Sequence, residues 1–135
     1  MERKFINPEG MFRPGTYTPV VTVRGGTMVY ISGQIAVDEK GQPVGGNDLK
    51  AQTEQVYRNL GLALKSAGAT FQDVVKITTY VVNYKPEYRA LMHEVRSRHF
   101  SKDHPPASTL VGVQSLATAV YLVEIEAVAC VELAL

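Results

Sequence analysis

The sequence predicts an α+β fold in which two helices pack on one face of a mixed β-sheet, with the element order ββαβαββ. Five segments are rich in β-branched residues or alternate in polarity, as strands do, and two segments repeat apolar residues every three or four positions, as amphipathic helices do. The connections between them are short, which favours one sheet over separate units.

The first two strands are expected at residues 17–23 and 27–32, which are rich in Val, Thr, Tyr and Ile. They flank Arg24-Gly25-Gly26, a short loop able to take positive φ, so a β-hairpin is expected. A third strand is expected at Val74–Val82, where β-branched residues occupy both faces. The last two strands are expected at residues 108–113 and 120–133, and the second of these alternates regularly.

The first helix is expected to begin after a loop rich in Gly and Pro, with Asn47 or Asp48 as its N-cap. Gly68 is expected to end it in the left-handed conformation. Its apolar positions follow helical spacing: Val56, Leu60, Ala63, Leu64 and Ala67.

A second helix is expected at residues 87–100, directly after Pro86. One stripe of this helix carries Leu91, Val95 and His99. The other carries Arg89, His93 and Arg96, which simple exposure to solvent would also explain.

Composition limits the function classes. Fourteen Lys and Arg against thirteen Asp and Glu leave a net charge of +1, which gives no long-range field for nucleic acid or a membrane surface. A length of 135 residues suits one domain, spanning residues 1–135. No signal peptide or membrane-spanning run is visible, and Cys130 has no partner for an internal disulfide, so a cytoplasmic location is expected. We expect Cys130 to be a small buried residue.

Helices on one face of the sheet leave the other face open. Period two places Val120, Leu122, Val128 and Cys130 of the last strand on that open face. The opposite row is apolar throughout: Tyr121, Val123, Ile125, Ala127, Ala129 and Val131. Because an open apolar face needs cover, we expect a partner subunit to bury it.

Three carboxylates, Glu124, Glu126 and Glu132, share the open face by the same period. Partial burial between subunits would raise the pKa of a glutamate toward the range useful for proton transfer, which makes Glu124 or Glu126 a candidate acid/base. Outward ion pairs or salt-bridged interface groups are the alternative, since charges on strands are usually solvated.

Other candidate residues are weaker. Ser32-Gly33 ends a strand where a backbone N–H could approach a ligand, although an ordinary turn explains it equally well. His93 is a candidate site residue, but a surface or packing role is the commoner one, and no second His or Cys stands at metal-ligand spacing. No phosphate-binding glycine motif and no nucleophile elbow is present, so neither a metal nor a cofactor is predicted.

Four motifs, spread over the chain, carry a resemblance. They are Gly15-Thr16-Tyr17, Ile31-Ser32-Gly33-Gln34-Ile35, Pro106-Ala107 and Val123-Glu124-Ile125-Glu126-Ala127. Together they resemble the reactive-intermediate-deaminase (Rid, YjgF-like) family, parts of which carry the label endoribonuclease L-PSP. The resemblance implies a chorismate-mutase-like homotrimer with a central barrel and three small-molecule clefts between subunits. It also implies hydrolysis of reactive enamines and imines.

The same resemblance implies roles for individual residues. Glu124 is the predicted catalytic residue, placed to handle the water that attacks the imine carbon. The predicted substrate-binding residues are Tyr17, Ser32, Gly33, His93, Ser108 and Glu126.

One departure from the family pattern bears on the substrate. The family's Pro-Ala-Arg motif grips the substrate carboxylate with a guanidinium, whereas here Ser108 follows Pro106-Ala107. A lost charge-assisted bond of this kind costs on the order of a few kcal/mol. His93 also stands where active relatives often have Asn, and Leu110 where many have Cys. We therefore expect a substrate other than a simple 2-imino acid.

Three functions stay open on the sequence. The first is an imine or enamine hydrolase of the Rid type, and the second is a non-catalytic trimer that binds or senses a small molecule. The third is an endoribonuclease, for which the local basic cluster is Arg89, Arg96, Arg98 and Lys102. The near-zero net charge argues against that third function.

Overall fold

A computed structural model describes residues 1–132. The elements, in chain order, are β1 (Glu2–Ile6), β2 (Val20–Arg24), β3 (Thr27–Gln34), α1 (Leu49–Ser66), β4 (Val74–Val82), α2 (Tyr88–Ser97), β5 (Ala107–Val113) and β6 (Val123–Val131). A short 3₁₀ turn, Phe71–Asp73, leads into β4. The α+β class is confirmed, and from β2 onward the element order is the predicted ββαβαββ. Within residues 1–132, no helix is long and apolar enough to cross a membrane.

The main sheet has the strand order β3-β6-β4-β5, with β4 and β5 parallel and the other pairs antiparallel. Helix α1 packs on one face of β3 and β6, and α2 packs against α1. The inward row of β6 is buried as predicted: Val123, Ile125, Ala127, Ala129 and Val131. Burial of these side chains and their partners on α1 supplies the main stabilising term of the fold.

The predicted β-hairpin of the first two strands is wrong. Strand β2 pairs instead with an N-terminal strand, β1, which was not predicted from the sequence, and β3 pairs with β6. The turn between β2 and β3 has the expected positive φ at Gly25 and Gly26. A Cβ on Gly26 would lie 2.9 Å from Cys130 Sγ and 2.9 Å from the Val131 carbonyl oxygen. The turn therefore passes closely over the end of β6. It takes the chain from β2 in the two-stranded sheet to β3 in the main sheet.

The ends of α1 follow the prediction. Asp48 is the N-cap, and its side chain accepts a hydrogen bond from the Ala51 amide at 3.2 Å. At the other end Gly68 takes φ +71°, and the Ala69 amide donates to the Leu64 carbonyl at 2.9 Å. This pattern is a Schellman cap, which satisfies carbonyls that the helix leaves free.

Helix α2 is shorter than predicted and ends at Ser97. Arg98 and His99 continue as a turn whose amides bond to the carbonyls three residues back, and His99 and Phe100 join an aromatic cluster with Tyr57 of α1. The His99 ring stacks on Tyr57, with ring centroids 4.7 Å apart and planes 4° from parallel, and Phe100 meets Tyr57 edge-on. The end of the helix thus coincides with the start of this aromatic packing.

The open sheet face differs from the prediction at two residues. Cys130 is fully buried beneath the Gly25-Gly26 turn, so it does not lie on the open face, although its expected burial is confirmed. Val120 is exposed but precedes β6, because the Gln52 side chain holds the Val120 carbonyl at 3.1 Å and the Leu122 amide at 2.8 Å. These bonds take backbone groups that a longer strand would use. The predicted end of the strand at Leu133 lies outside the described residues.

Candidate functional site

Glu124 lies on the open face of β6, half-buried, with its carboxylate over the backbone of Gly33. A Cβ on Gly33 would come within 2.0 Å of the Glu124 Oε2 atom. Gly33 sits at an irregularity in the β3–β6 pairing, between the paired residues Ile31 and Gln34. The missing side chain at this bulge creates the space that the carboxylate occupies.

Glu126 is the next residue on the same face and is exposed. Tyr80 of β4 donates a hydrogen bond from its hydroxyl to Glu126 Oε1 at 3.1 Å. This bond raises the pKa of Tyr80 above its ordinary value. Glu132, the third predicted carboxylate, lies after the end of β6 and accepts a hydrogen bond from the Met1 amino group at 2.8 Å. It is therefore separate from Glu124 and Glu126.

A groove runs along α2 and β5, at the β5 edge of the main sheet. It consists of two adjoining cavities of about 430 and about 730 Å³. Four residues line both cavities: Thr16, His93, Arg96 and Ser108. Tyr17 and Leu110 line the larger cavity, so the groove collects residues from three separate segments of the chain.

The loop that carries Thr16 and Tyr17 is tied down beside β5. Thr18 is buried, and its amide donates to the Pro106 carbonyl at 3.2 Å. The Thr18 hydroxyl donates to the Pro105 carbonyl. These two bonds to consecutive carbonyls place the loop over the start of β5 and next to Ser108.

Helix α2 is held in orientation by ion pairs to α1. Lys50 contacts Glu94 at 3.1 Å, and Arg98 contacts both Glu54 at 2.8 Å and Glu94 at 3.2 Å. The bond from Lys50 lowers the pKa of Glu94. Exposed pairs are individually weak, but linked charges on one side of a helix favour one rotation of it. That rotation turns the opposite stripe of α2 toward the groove.

Arg96 is the charged residue at the centre of the groove. Its Nη1 donates to Ser108 Oγ at 3.4 Å, and its Nη2 lies 3.1 Å from His93 Nδ1. A guanidinium can only donate, so His93 Nδ1 is the acceptor in this contact. Burial lowers the pKa of Arg96, with Tyr57 acting in the opposite direction. Among residues 1–132, Arg96 forms no ion pair with a carboxylate.

Comparison with known proteins identifies the family. The model of the Endoribonuclease L-PSP family matches residues 12–131. The chain belongs to this family. A RutC family protein from Pyrococcus abyssi is 37% identical over 96% of this chain and 98% of its own length. The Rid-family protein YyfB from Yersinia pestis has a structure with a TM-score of 0.87, 41% identity, and coverage of 97% of this chain and 100% of its own. RidA from an Antarctic Psychrobacter species is 31% identical with a TM-score of 0.69, covering 95% of this chain and 99% of its own.

In this member of the L-PSP family, the predicted site residues lie in two separate groups within one copy of the chain. Tyr17, His93 and Ser108 line the groove. The open sheet face carries the other group: Ser32, Gly33, Glu124 and Glu126, none of which lines either cavity. Within one copy of the chain, the predicted catalytic residue Glu124 therefore lies apart from the predicted substrate-binding residues of the groove.

Arg96 is the groove residue whose role sequence reasoning missed. The stripe of Arg89, His93 and Arg96 was visible in the helical spacing, yet an exposed helix face explained it as well. The proximity of Arg96 to Ser108 depends on how α2 packs beside β5. No local pattern in the sequence encodes that packing. Arg98, from the same basic cluster, is engaged with two glutamates and does not line the groove.

Proposed function

We propose that this protein is an imine or enamine hydrolase whose small-molecule clefts form between the subunits of a homotrimer. The observation that carries the proposal is the division of the site within one protomer. Glu124 occupies a formed position over Gly33 on an open sheet face, while the groove that could hold a ligand lies elsewhere and does not include Glu124. Packing the open face of one subunit beside the groove of the next would join the two halves.

The open face has the character of a subunit interface. Tyr30 of β3 is 77% exposed there, and Met28 on the same strand is 42% exposed. Val128 of β6 adds partly exposed apolar surface on the same side. Large exposed side chains that lie together on a sheet favour burial by another copy of the chain. Such burial would also exclude bulk water from Glu124.

The chemistry follows from a carboxylate and one water molecule. Glu124 takes a proton from a water molecule as the water oxygen attacks the imine carbon. The C=N π bond breaks, and its electron pair moves to the nitrogen. Glu124 returns that proton to the nitrogen, which gives a tetrahedral adduct with one hydroxyl and one amino group. Glu124 then carries the hydroxyl proton to the amino group, the C–N bond breaks with its electron pair leaving on nitrogen as ammonia, and the carbonyl forms. Atoms balance with no cofactor: one imine and one water give one ketone and one ammonia.

The substrate differs from a simple 2-imino acid in this proposal. The residue that follows Pro106-Ala107 is Ser108, which offers one neutral hydroxyl in place of a charged fork. Leu110 adds an apolar side chain at the same wall of the groove. Both changes favour a ligand larger than the smallest imino acids.

The decisive variant is Glu124→Gln, which keeps the side chain's shape and removes its basicity. Ammonia release is followed from imines that a flavin-dependent amine oxidase generates from primary amines and ω-amino acids of increasing length. We expect Glu124→Gln to lose at least about a hundredfold in rate, the usual contribution of a general acid/base. The matched control is Glu132→Gln, which removes the carboxylate that the Met1 amino group holds after the end of β6 and retains most of the rate.

Sedimentation velocity on the same samples establishes that both variants keep the wild-type assembly. Equal rates for Glu124→Gln and the wild type would contradict the catalytic role. The alternative of a binding or sensing trimer would then account for the groove.

The ribonuclease function is less well supported. Arg98 is already paired with Glu54 and Glu94, so one of the four cations in the basic cluster is not free for phosphate. The net charge of +1 supplies no field for RNA at longer range.

A further inference from the structure

Arg96 is a half-buried cation without an anion beside it among the described residues. Its two polar contacts are to Ser108 Oγ and His93 Nδ1, and neither of these acceptors is a carboxylate. Its Nε has no protein acceptor and is not sealed from solvent, because Arg3 Nε is the one buried side-chain nitrogen or oxygen left unpartnered within residues 1–132. An arginine carries five N–H donors, so most of this guanidinium's capacity is unused.

The guanidinium nevertheless has a contact at each of its two terminal nitrogens. One terminal nitrogen is held by the Ser108 hydroxyl on β5 and the other by the His93 ring one turn earlier on α2. Two contacts from two elements restrict rotation of the planar fork, which lowers the entropy lost when it binds a ligand. A merely solvated surface arginine would not need such contacts.

The position of the fork determines how far a ligand must reach. An arginine at position 108 would project from β5 by the length of its aliphatic stem and would fill part of the groove. Here the short Ser108 side chain leaves that space empty, and the guanidinium of Arg96 stands against the Ser108 hydroxyl. An anion bound by Arg96 therefore lies deeper in the groove, beside β5 and α2, than an anion bound by an arginine at position 108 would.

We infer that Arg96 is the anion-binding residue of this groove and that it selects an elongated anionic ligand, whose carboxylate lies against α2. The inference deepens the proposed function and rests on it for the reacting group, an imine or enamine at the far end of the ligand. Ser108 and His93 are positioning residues that hold the fork. The ligand is thus anionic, although Ser108 stands where the Pro-Ala-Arg motif has its arginine.

The other charged groups of the groove are less suited to this role. Arg89 lies two turns earlier on α2 and is exposed, as is Glu87 at the same end of the larger cavity. Lys102 lines the smaller cavity and is also exposed. Exposed charges lose most of their attraction for a ligand to solvent screening, whereas the half-buried fork of Arg96 does not.

The test measures binding, independently of catalysis. Acetate, butanoate and hexanoate are titrated into the assembled protein by calorimetry and by NMR of the arginine Nε–H resonances, with hexanamide as the neutral analogue. We expect hexanoate to bind about tenfold more tightly than acetate and about tenfold more tightly than hexanamide. Arg96→Gln should lose about tenfold or more of hexanoate affinity, and Arg96→Lys should recover only part of it.

Arg89→Gln is the matched control, because it removes the same charge from the same helix stripe, and its hexanoate affinity should stay within about twofold of the wild type. Equal affinities for hexanoate and hexanamide would overturn the inference, and so would equal losses in Arg89→Gln and Arg96→Gln. No gain from acetate to hexanoate would overturn the predicted length of the ligand. Arg96-dependent binding in a protein that hydrolyses no imine would leave the anion site standing and refute the proposed function.

Discussion

At the scale of single residues, the site depends on what two side chains lack. Gly33 has no Cβ, and this lets the Glu124 carboxylate lie against the β3 backbone. Ser108 has no long side chain, and this lets Arg96 reach β5 from α2. In both cases a small residue on one element determines where a charged group from another element comes to rest. Local propensity describes neither relation, since the two partners lie on different elements.

Gly33→Ala tests the first relation. The three atoms nearest to the new methyl group all belong to the Glu124 side chain, and none belongs to the backbone. Gly33 does not have a positive φ. We expect the flexible carboxylate to move aside, so that stability falls by only about 1 kcal/mol or less. Hydrolysis should fall nearly as far as in Glu124→Gln.

Urea unfolding and ammonia release on the same preparation check this prediction. A Gly33→Ala protein with a normal rate would show that the position of Glu124 over Gly33 has no importance for catalysis.

At the scale of elements, the helices and the long strands could be predicted from the sequence, whereas the sheet partners of β2 and β3 could not. The α1 caps and the alternation of β6 are local signals, and both were interpreted correctly at Asp48, Gly68 and Ile125. The Gly25-Gly26 turn was also recognised as a turn. Whether the two strands on either side of a turn pair with each other depends on long-range contacts. Here that contact is the crossing of the turn over the end of β6, which the turn's own residues do not indicate.

The crossing predicts a difference between two glycines with nearly equal φ. Gly26 has φ +78° and close neighbours, while Gly41 has φ +79° and no atom within 4 Å of the place where a Cβ would stand. Gly41→Ala should cost only the backbone term, about 1–2 kcal/mol. Gly26→Ala should cost about 2–4 kcal/mol, because the methyl group also meets Cys130 and the Val131 carbonyl.

Urea denaturation midpoints of the two variants give the comparison directly. Equal losses would mean that the β2–β3 turn does not press on the end of β6.

At the scale of the whole molecule, the proposed activity depends on how copies of the chain meet. One face of the main sheet is covered by helices, and the other carries both Glu124 and the exposed Tyr30. The groove lies elsewhere, between α2, β5 and the Thr16–Tyr17 loop. The family resemblance implied a cleft between subunits, and the division of site residues within one protomer is the arrangement that such a cleft requires. Membership of the family was predictable from four short motifs, but the Arg96 fork was not.

The central claim is that each cleft takes Glu124 from one subunit and its groove from another. Two variants that fail for different reasons test it: Glu124→Gln, which lacks the base, and Ser108→Phe, which fills the groove. Each is expected to be nearly inactive alone. If the two are unfolded together and reassembled at equal amounts, about one quarter of the clefts in randomly mixed trimers combine an intact Glu124 with an intact groove. We predict recovery of about that fraction of the wild-type rate, whereas a mixture no more active than its separate components would contradict the claim.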